Sequence, residues 1–157
     1  MAMTAQDWKN LFANNTIDTV NYNNSSVSKV IVDSKVVWEA WKSSYFSFNT
    51  YHKGGGASIS ADDTYDVGKP VRAISSTLTS VNNKGNSPTY ILYGSTNNSS
   101  WIELGRISHG GGTFTINVTN TNLFRYFKIH QSESQWRRDD GNEVCSIEPW
   151  RVDYLYK

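Results

Sequence analysis

Residues 89–107 read TYILYGSTNNSSWIELGRI, two apolar runs separated by a cluster of Thr, Asn and Ser residues. Tyr, Ile and Trp favour strands, and the polar cluster between the runs is typical of a turn. After residue 57 the same alternation of short apolar runs with Asn, Gly or Ser clusters continues to the end of the chain. The predicted strands are 71–80, 89–95, 101–107, 113–118, 124–130 and 150–156. Their regular spacing predicts a β-sandwich or barrel.

The composition agrees with a single all-β domain. The 157 residues include 16 Asn, 20 Ser and 13 Thr, while aromatic residues make up 13% and charged residues only 18%. A coiled coil would be richer in Ala, Glu, Lys and Leu, and a disordered chain would lack aromatic residues. A chain of this length buries enough surface to fold without a metal or disulfide.

Charge and patterning exclude several classes of partner. The net charge of +1 does not favour nucleic-acid binding through phosphate contacts. The single cysteine, Cys145, excludes an internal disulfide and a thiolate zinc site. There is no run of 18 apolar residues, and the first residues lack the basic start and apolar core of a signal peptide. We therefore expect no membrane insertion, and release from a producing cell by lysis rather than by secretion.

Residues 1–43 differ from the rest in their residue pattern and are predicted to form an N-terminal extension, which is followed by a sandwich over residues 44–157. A capping box over residues 4–7 predicts the start of a short helix. Such a helix is too short to be stable alone, so its apolar face must dock on another surface. The residues that recur on this face, which we assign to docking, are Trp8, Leu11 and Phe12.

A hairpin is predicted within the extension, because the apolar segments 30–32 and 36–38 flank a tight turn at Asp33-Ser34-Lys35. Aromatic residues follow closely, namely Trp38, Trp41, Tyr45, Phe46 and Phe48. Because aromatic side chains mostly fill cores, we predict that this cluster lies in the core or an interface. A platform for a ligand is the alternative.

Motifs that would indicate catalysis or metal binding are incomplete. His109-Gly110-Gly111-Gly112 has the letters of an esterase oxyanion-hole loop, but the sequence has no G-x-S-x-G nucleophile elbow. We interpret it as a hairpin loop in which glycine adopts positive φ. His52, His109 and His130 lack the spacing of metal ligands. Two acid clusters, Asp62-Asp63 with Asp66 and Asp139-Asp140 with Glu143, are interpreted as solvated turns, with a calcium loop as the alternative.

Residues 131–148 form a long polar stretch with an isolated Trp136 followed by Arg137 and Arg138. A tryptophan in a polar loop either plugs the end of a sandwich or is exposed for stacking. Sugar rings present C–H faces that pack on aromatic rings, and Arg, Asn and His side chains hydrogen-bond hydroxyl groups. Because loops on a rigid scaffold concentrate binding residues, we predict a contact role here.

Residues 71–130 resemble the galactose-binding-like β-sandwich of discoidin domains, coagulation-factor C domains and many carbohydrate-binding modules. The family pattern Y-x-L-x-G-S-x-D-G-S-x-W is matched by residues 90–101, YILYGSTNNSSW, and R-Y-x-R-I is matched by residues 125–129, RYFKI. Residues 150–156 are similar to the closing strand. The resemblance implies a jelly-roll β-sandwich.

In sugar-binding members of this family, loops at one end of the sandwich hold the ligand. The resemblance implies that the glycan contacts come from three segments, Tyr51-His52-Lys53, Asn82-Asn83-Lys84 and Trp136-Arg137-Arg138. Trp136 would stack on a sugar ring and the polar residues would bind its hydroxyl groups. Relatives often carry a structural calcium with a Glu near the closing strand. Here Arg151 stands about where that Glu would be and Glu148 lies three residues earlier, so we expect no cofactor and no metal, with a structural calcium as the alternative.

Within the extension, residues 28–41, SKVIVDSKVVWEAW, resemble segments of bacteriophage structural proteins. This resemblance implies a non-catalytic virion accessory protein of the tail or capsid surface. Its partners would be other virion proteins or copies of itself, and host-surface carbohydrate. The alternative is an extracellular carbohydrate-binding module of a bacterial polysaccharide-degrading system. A third hypothesis, a small glycan hydrolase, requires two carboxylates on one cleft, and the sequence singles out no such pair.

Overall fold

The computed structural model describes residues 7, 20–22, 25–27, 29–32, 35–54, 60–80, 87–132, 137–139 and 142–157. Apart from Asp7, which is helical, the regular structure of these residues is β. The strands, in chain order, are β1 (Val20–Tyr22), β2 (Ser25–Val27), β3 (Lys29–Val32), β4 (Lys35–Glu39), β5 (Lys42–Gly54), β6 (Ala61–Ser80), β7 (Thr89–Ser95), β8 (Ile102–Ser108), β9 (Gly112–Asn117), β10 (Phe124–Ser132), β11 (Arg137–Asp139) and β12 (Asn142–Tyr156). The predicted all-β class is confirmed.

The chain divides into two compact units, residues 1–42 with residue 157, and residues 43–156. In the first unit, β1 pairs with β2 and β3 pairs with β4, both antiparallel. The predicted hairpin is therefore present, although Lys35 pairs with Val32 and belongs to a strand rather than to the turn. The predicted short helix is not supported, and its docking residues Trp8, Leu11 and Phe12 lie outside the described residues.

In the second unit, the long strand β6 takes part in two groups of strands. Its first part, from Ala61 to Val71, pairs with β10, which pairs with β7, which pairs with β8. Its second part, from Arg72 to Ser80, pairs with β12 on one side and with β9 on the other. β12 also pairs with β5 and with β11. We call these two groups the β10 sheet and the β12 sheet.

The core lies between the inward faces of these two groups. Trp150 is fully buried, and its Nε1–H donates to Ser76 Oγ at 3.0 Å, so the indole buries its apolar area with its polar atom satisfied. Phe46 packs edge-on against Trp150 at 5.4 Å between centroids, which places it in the core as predicted. Tyr45 does not share this role, because it is 55% exposed.

Three predictions about strands need correction. β6 begins at Ala61, ten residues before the predicted start, because the acidic residues 62–66 lie on a strand rather than in a turn. β5 has no counterpart among the predicted strands. The stretch 131–148, predicted to be a polar loop, contains the end of β10, all of β11 and the first half of β12. In each case the polar side chains belong to strands, so hydropathy did not separate strand from loop.

The glycine-rich segment after β8 has positive φ at Gly111 and Gly112, as predicted. It is not a hairpin, however, because β8 pairs with β7 whereas β9 pairs with β6. The segment therefore connects the two sheets. No helix among the described residues is long and apolar enough to cross a membrane.

Candidate functional site

Several strands begin or end together at one end of the sandwich. Ala61, the first residue of β6, lies opposite Gln131, and Thr89, the first residue of β7, lies opposite Ser132 at the end of β10. The end of β6 lies at the same place, because Ser80 Oγ and Tyr90 OH are 2.7 Å apart. We call this region the strand end.

A histidine–aspartate pair joins β5 to the strand end. His52 Nε2 lies 2.7 Å from Asp63 Oδ2, and the two side chains are 35% and 21% exposed. A carboxylate only accepts hydrogen bonds, so Nε2–H donates and the ring is held in one orientation. The other ring nitrogen, Nδ1, lies on the opposite edge of the imidazole. A ring oriented in this way, and still partly exposed, is suited to hydrogen-bonding a ligand hydroxyl.

The neighbouring carboxylate faces the other side of β6, because successive side chains in a strand alternate. Asp62 Oδ1 lies 2.7 Å from His130 Nδ1, and Lys128 Nζ lies 3.8 Å from Asp62 Oδ2. The Lys128 ammonium is 4.9 Å and 5.0 Å from the ring centroids of Tyr93 and Trp101. This cluster occupies the outer face of the β10 sheet.

The third member of the acidic cluster forms a bidentate ion pair. Both carboxylate oxygens of Asp66 accept from Arg125, at 2.8 Å each, and Asp66 Oδ1 also accepts from the Gly68 amide. The hydrogen bonds from Arg125 lower the pKa of Asp66 below its usual value of 3.8. Asp62, Asp63 and Asp66 thus each contact a basic side chain. Among the residues that the structure describes, no group of three or more His, Cys, Asp or Glu side chains is arranged to hold a metal ion.

The three predicted contact segments differ in how far the structure describes them. Lys53 lies on β5, and Arg137 and Arg138 lie on β11, opposite Val144 and Glu143. Ser80 and Ser132, the last described residues before two of the segments, both lie at the strand end. The predicted contact residues outside the described ranges are Asn82, Asn83, Lys84 and Trp136.

Tyr51 and His52 lie on opposite faces of β5. The inward side chains Phe46, Phe48, Thr50 and His52 are buried or half-buried, whereas Tyr45, Ser47, Asn49 and Tyr51 are exposed. The sequence reasoning grouped Tyr51 with His52 and did not identify Asp63 as the partner of the histidine. The alternation in YFSFNTYH could have revealed the two faces, but nothing in the sequence links residues 52 and 63.

No protein-family model and no curated protein matches this chain. Among solved structures, the C-terminal domain of a chitobiase from Bacteroides fragilis is similar with a TM-score of 0.46 and 14% identity. That match covers 63% of this chain and 66%, just under two thirds, of the other. CpGH89CBM32-6, produced by Clostridium perfringens, is similar with a TM-score of 0.41 and 12% identity, over 69% of this chain and 76% of the other. Neither of these proteins is named as a bacteriophage protein.

Proposed function

We propose that this chain is a galactose-binding-like β-sandwich that binds carbohydrate without catalysis, and that the glycan is held at the strand end. The observation that carries the proposal is the His52–Asp63 pair, which fixes a partly exposed imidazole beside the ends of β6 and β10. A sugar hydroxyl both donates and accepts hydrogen bonds, so an oriented ring nitrogen is a suitable partner for it.

The predicted contact residues complete this proposal. Trp136 would stack on one face of a sugar ring, and Tyr51 would add a second aromatic surface at the margin of β5. Polar side chains would bind the remaining hydroxyl groups. The residues in this polar role are Arg137, Arg138, Asn82, Asn83 and Lys84. The match of residues 90–101 to the family pattern supports the same class of domain, since Tyr90, Leu92 and Gly94 all lie on the buried face of β7.

The carboxylate contacts support a binding role rather than hydrolysis. A glycoside hydrolase uses two carboxyl groups, one as an acid and one as a base or nucleophile, on either side of the scissile bond. Asp62 and Asp63 point to opposite faces of β6, and each contacts a histidine at 2.7 Å. These two neighbours therefore cannot flank one substrate bond.

A glycan array tests the proposal, followed by titration of the best-bound oligosaccharide. We expect His52→Ala to weaken binding about tenfold, which corresponds to the loss of one hydrogen bond of roughly 1.4 kcal/mol. His130→Ala is the matched control, because it also removes a histidine that lies 2.7 Å from an aspartate, but on the outer face of the β10 sheet. An equal loss of glycan affinity in the two variants, or an array on which no glycan is bound, would contradict the proposal. Trp136→Ala tests the stacking residue in the same assay.

We further propose that residues 1–43 attach the sandwich at residues 44–157 to a larger assembly, a virion or a second copy of the chain. In its support, residues 1–42 form a compact unit with residue 157, and Ile31 within it is 58% exposed. Many copies on one particle would strengthen weak single-site sugar binding. If the full chain with Trp8, Leu11 and Phe12 all changed to Ser still sediments with particles from its producing cells, the docking proposal fails. The extracellular carbohydrate-binding module, as a free monomer, then becomes the better hypothesis.

A further inference from the structure

The outward face of β5 carries a row of four uncharged side chains, Tyr45, Ser47, Asn49 and Tyr51, all of them exposed. The two tyrosines are 55% and 50% exposed, although large aromatic side chains in a small domain normally bury most of their area. They are six residues apart, and at the usual rise of about 3.3 Å per residue this separation is about 20 Å. We call these four residues the β5 row.

Tyr45 is held in place by its neighbour on the next strand. The Arg151 guanidinium carbon lies 3.9 Å from the centroid of the Tyr45 ring, which is the geometry of a cation–π contact. Arg151 Nε in turn donates to both carboxylate oxygens of Asp153, at 3.0 Å and 3.2 Å. The positive charge is therefore balanced locally, and the ring is oriented before any ligand arrives.

The face beyond Arg151 also carries hydroxyl groups. Arg151 lies opposite Thr77 in the strand ladder, and Thr77 lies opposite Thr115 on β9. The hydroxyl oxygens of Thr77 and Thr115 are 3.2 Å apart, and those of Thr79 and Thr113 are 3.0 Å apart. The outer face of the β12 sheet thus combines two exposed aromatic rings with hydroxyl and amide groups.

We infer that the β5 row binds a linear, uncharged glycan that runs from the strand end along β5, with Tyr51 and Tyr45 under two of its sugar rings. The inference rests on the proposed function, in which Tyr51 is one of the glycan contacts, and the structure places Tyr51 in the row. The C–H face of a pyranose packs on the face of an aromatic ring, because the partial negative charge of the ring face attracts the C–H groups. Ser47 and Asn49, between the rings, supply hydrogen bonds to the hydroxyl groups. A span of about 20 Å requires several sugar rings, so the ligand is the interior of a chain rather than a single terminal sugar.

The exposure of the aromatic rings on the two outer faces favours this surface over the other. On the outer face of the β10 sheet, Asp62 contacts both His130 and Lys128, and Lys128 lies near two aromatic rings. Tyr93 and Trp101 are only half-buried, whereas Tyr45 remains 55% exposed although Arg151 lies over its ring. The β5 row carries no charged side chain.

Calorimetric titrations with linear glucan, xylan and chitin oligosaccharides, from the monosaccharide to the hexasaccharide, test this inference on the full chain. We expect affinity to rise with chain length, and Tyr45→Ala to weaken hexasaccharide binding about tenfold while leaving the shortest bound sugar unaffected. Tyr45→Phe keeps the ring and should bind like the unchanged protein, so it separates stacking from misfolding. Tyr126→Ala is the matched control, because an arginine also lies over that ring, at 5.1 Å.

The outcomes separate the two proposals. If binding depends on His52 but not on chain length or Tyr45, the inference fails and the proposed function stands. If no sugar of any length binds, both fail. If Tyr45→Ala instead abolishes self-association measured by analytical ultracentrifugation, the β5 row is a contact between copies of the chain, and the inference is wrong.

Discussion

At some positions of the sandwich the packing leaves no room for a side chain, and Gly94 on β7 is one of them. A Cβ atom at this position would lie 2.7–2.9 Å from three ring carbons of Phe124, which is 2% exposed and packed in the core. The sequence pattern predicted a strand here and matched the glycine to a family pattern. It did not reveal the reason for the glycine, because Phe124 lies 30 residues away in the chain and meets it only after folding.

We therefore expect Gly94→Ala to lower the free energy of unfolding by roughly 1–3 kcal/mol, the usual effect of forcing extra volume into a packed core. Urea unfolding followed by tryptophan fluorescence measures this change. The double variant Gly94→Ala with Phe124→Leu should lose less free energy of unfolding than the two single variants together. The smaller side chain at position 124 relieves the clash. Full additivity would show that the two residues do not interact.

A second residue-scale feature explains the turn between β7 and β8. Ser95 Oγ accepts from the amides of Asn97 and Asn98, and Asn97 Oδ1 accepts from the amides of Ser99 and Ser100. Asn98 adopts a φ of 60°, which asparagine tolerates better than most residues. The Asn and Ser cluster that predicted a turn from composition thus supplies the hydrogen bonds that build it.

At the scale of elements, β6 shows where sequence reasoning succeeded and where it did not. Residues 71–80 alternate between buried and more exposed side chains except at Ile74 and Ser75, and the strand was predicted there. Residues 62–66 include three aspartates, which composition alone associates with turns. Their basic partners come from β5 and β10, and such pairing across strands is not visible in a local window.

The pairing of Asp66 with Arg125 connects β6 to β10 and should depend on pH. Because Arg125 lowers the pKa of Asp66 in the folded protein, the pair stabilises the fold above the unfolded value near 3.8. That contribution is lost as the pH falls through the lower, folded-state pKa. The unchanged protein should therefore melt at a slightly higher temperature than Asp66→Asn at neutral pH, and the difference should vanish in strong acid. A difference in melting temperature that stays constant over the whole acidic range would show that the charge of Asp66 does not contribute to stability.

At the scale of the whole molecule, the neutral and hydroxyl-rich composition predicted an all-β domain, and the structure has one. Strand positions were predictable where apolar residues alternate with turn clusters, as in residues 89–95, which form β7 as expected. The strand end was only partly predictable. His52 was assigned to the glycan contacts through a resemblance. Its contact with Asp63 follows from how β5 and β6 meet, and the exposure of Tyr45 follows from the face of β5 on which it lies.

Carbohydrate bound at the strand end and along the adjoining outward face of β5 would change the surroundings of the backbone amides there. The most direct measurement is a titration of the isotope-labelled full chain with the best-bound oligosaccharide from the array, followed by the chemical shifts of assigned backbone amides. We expect the largest changes to fall on Tyr51, His52 and Asp63 and to extend along β5 to Tyr45. Changes centred instead on Tyr93, Trp101 and Lys128, across the β10 sheet, would contradict this expectation.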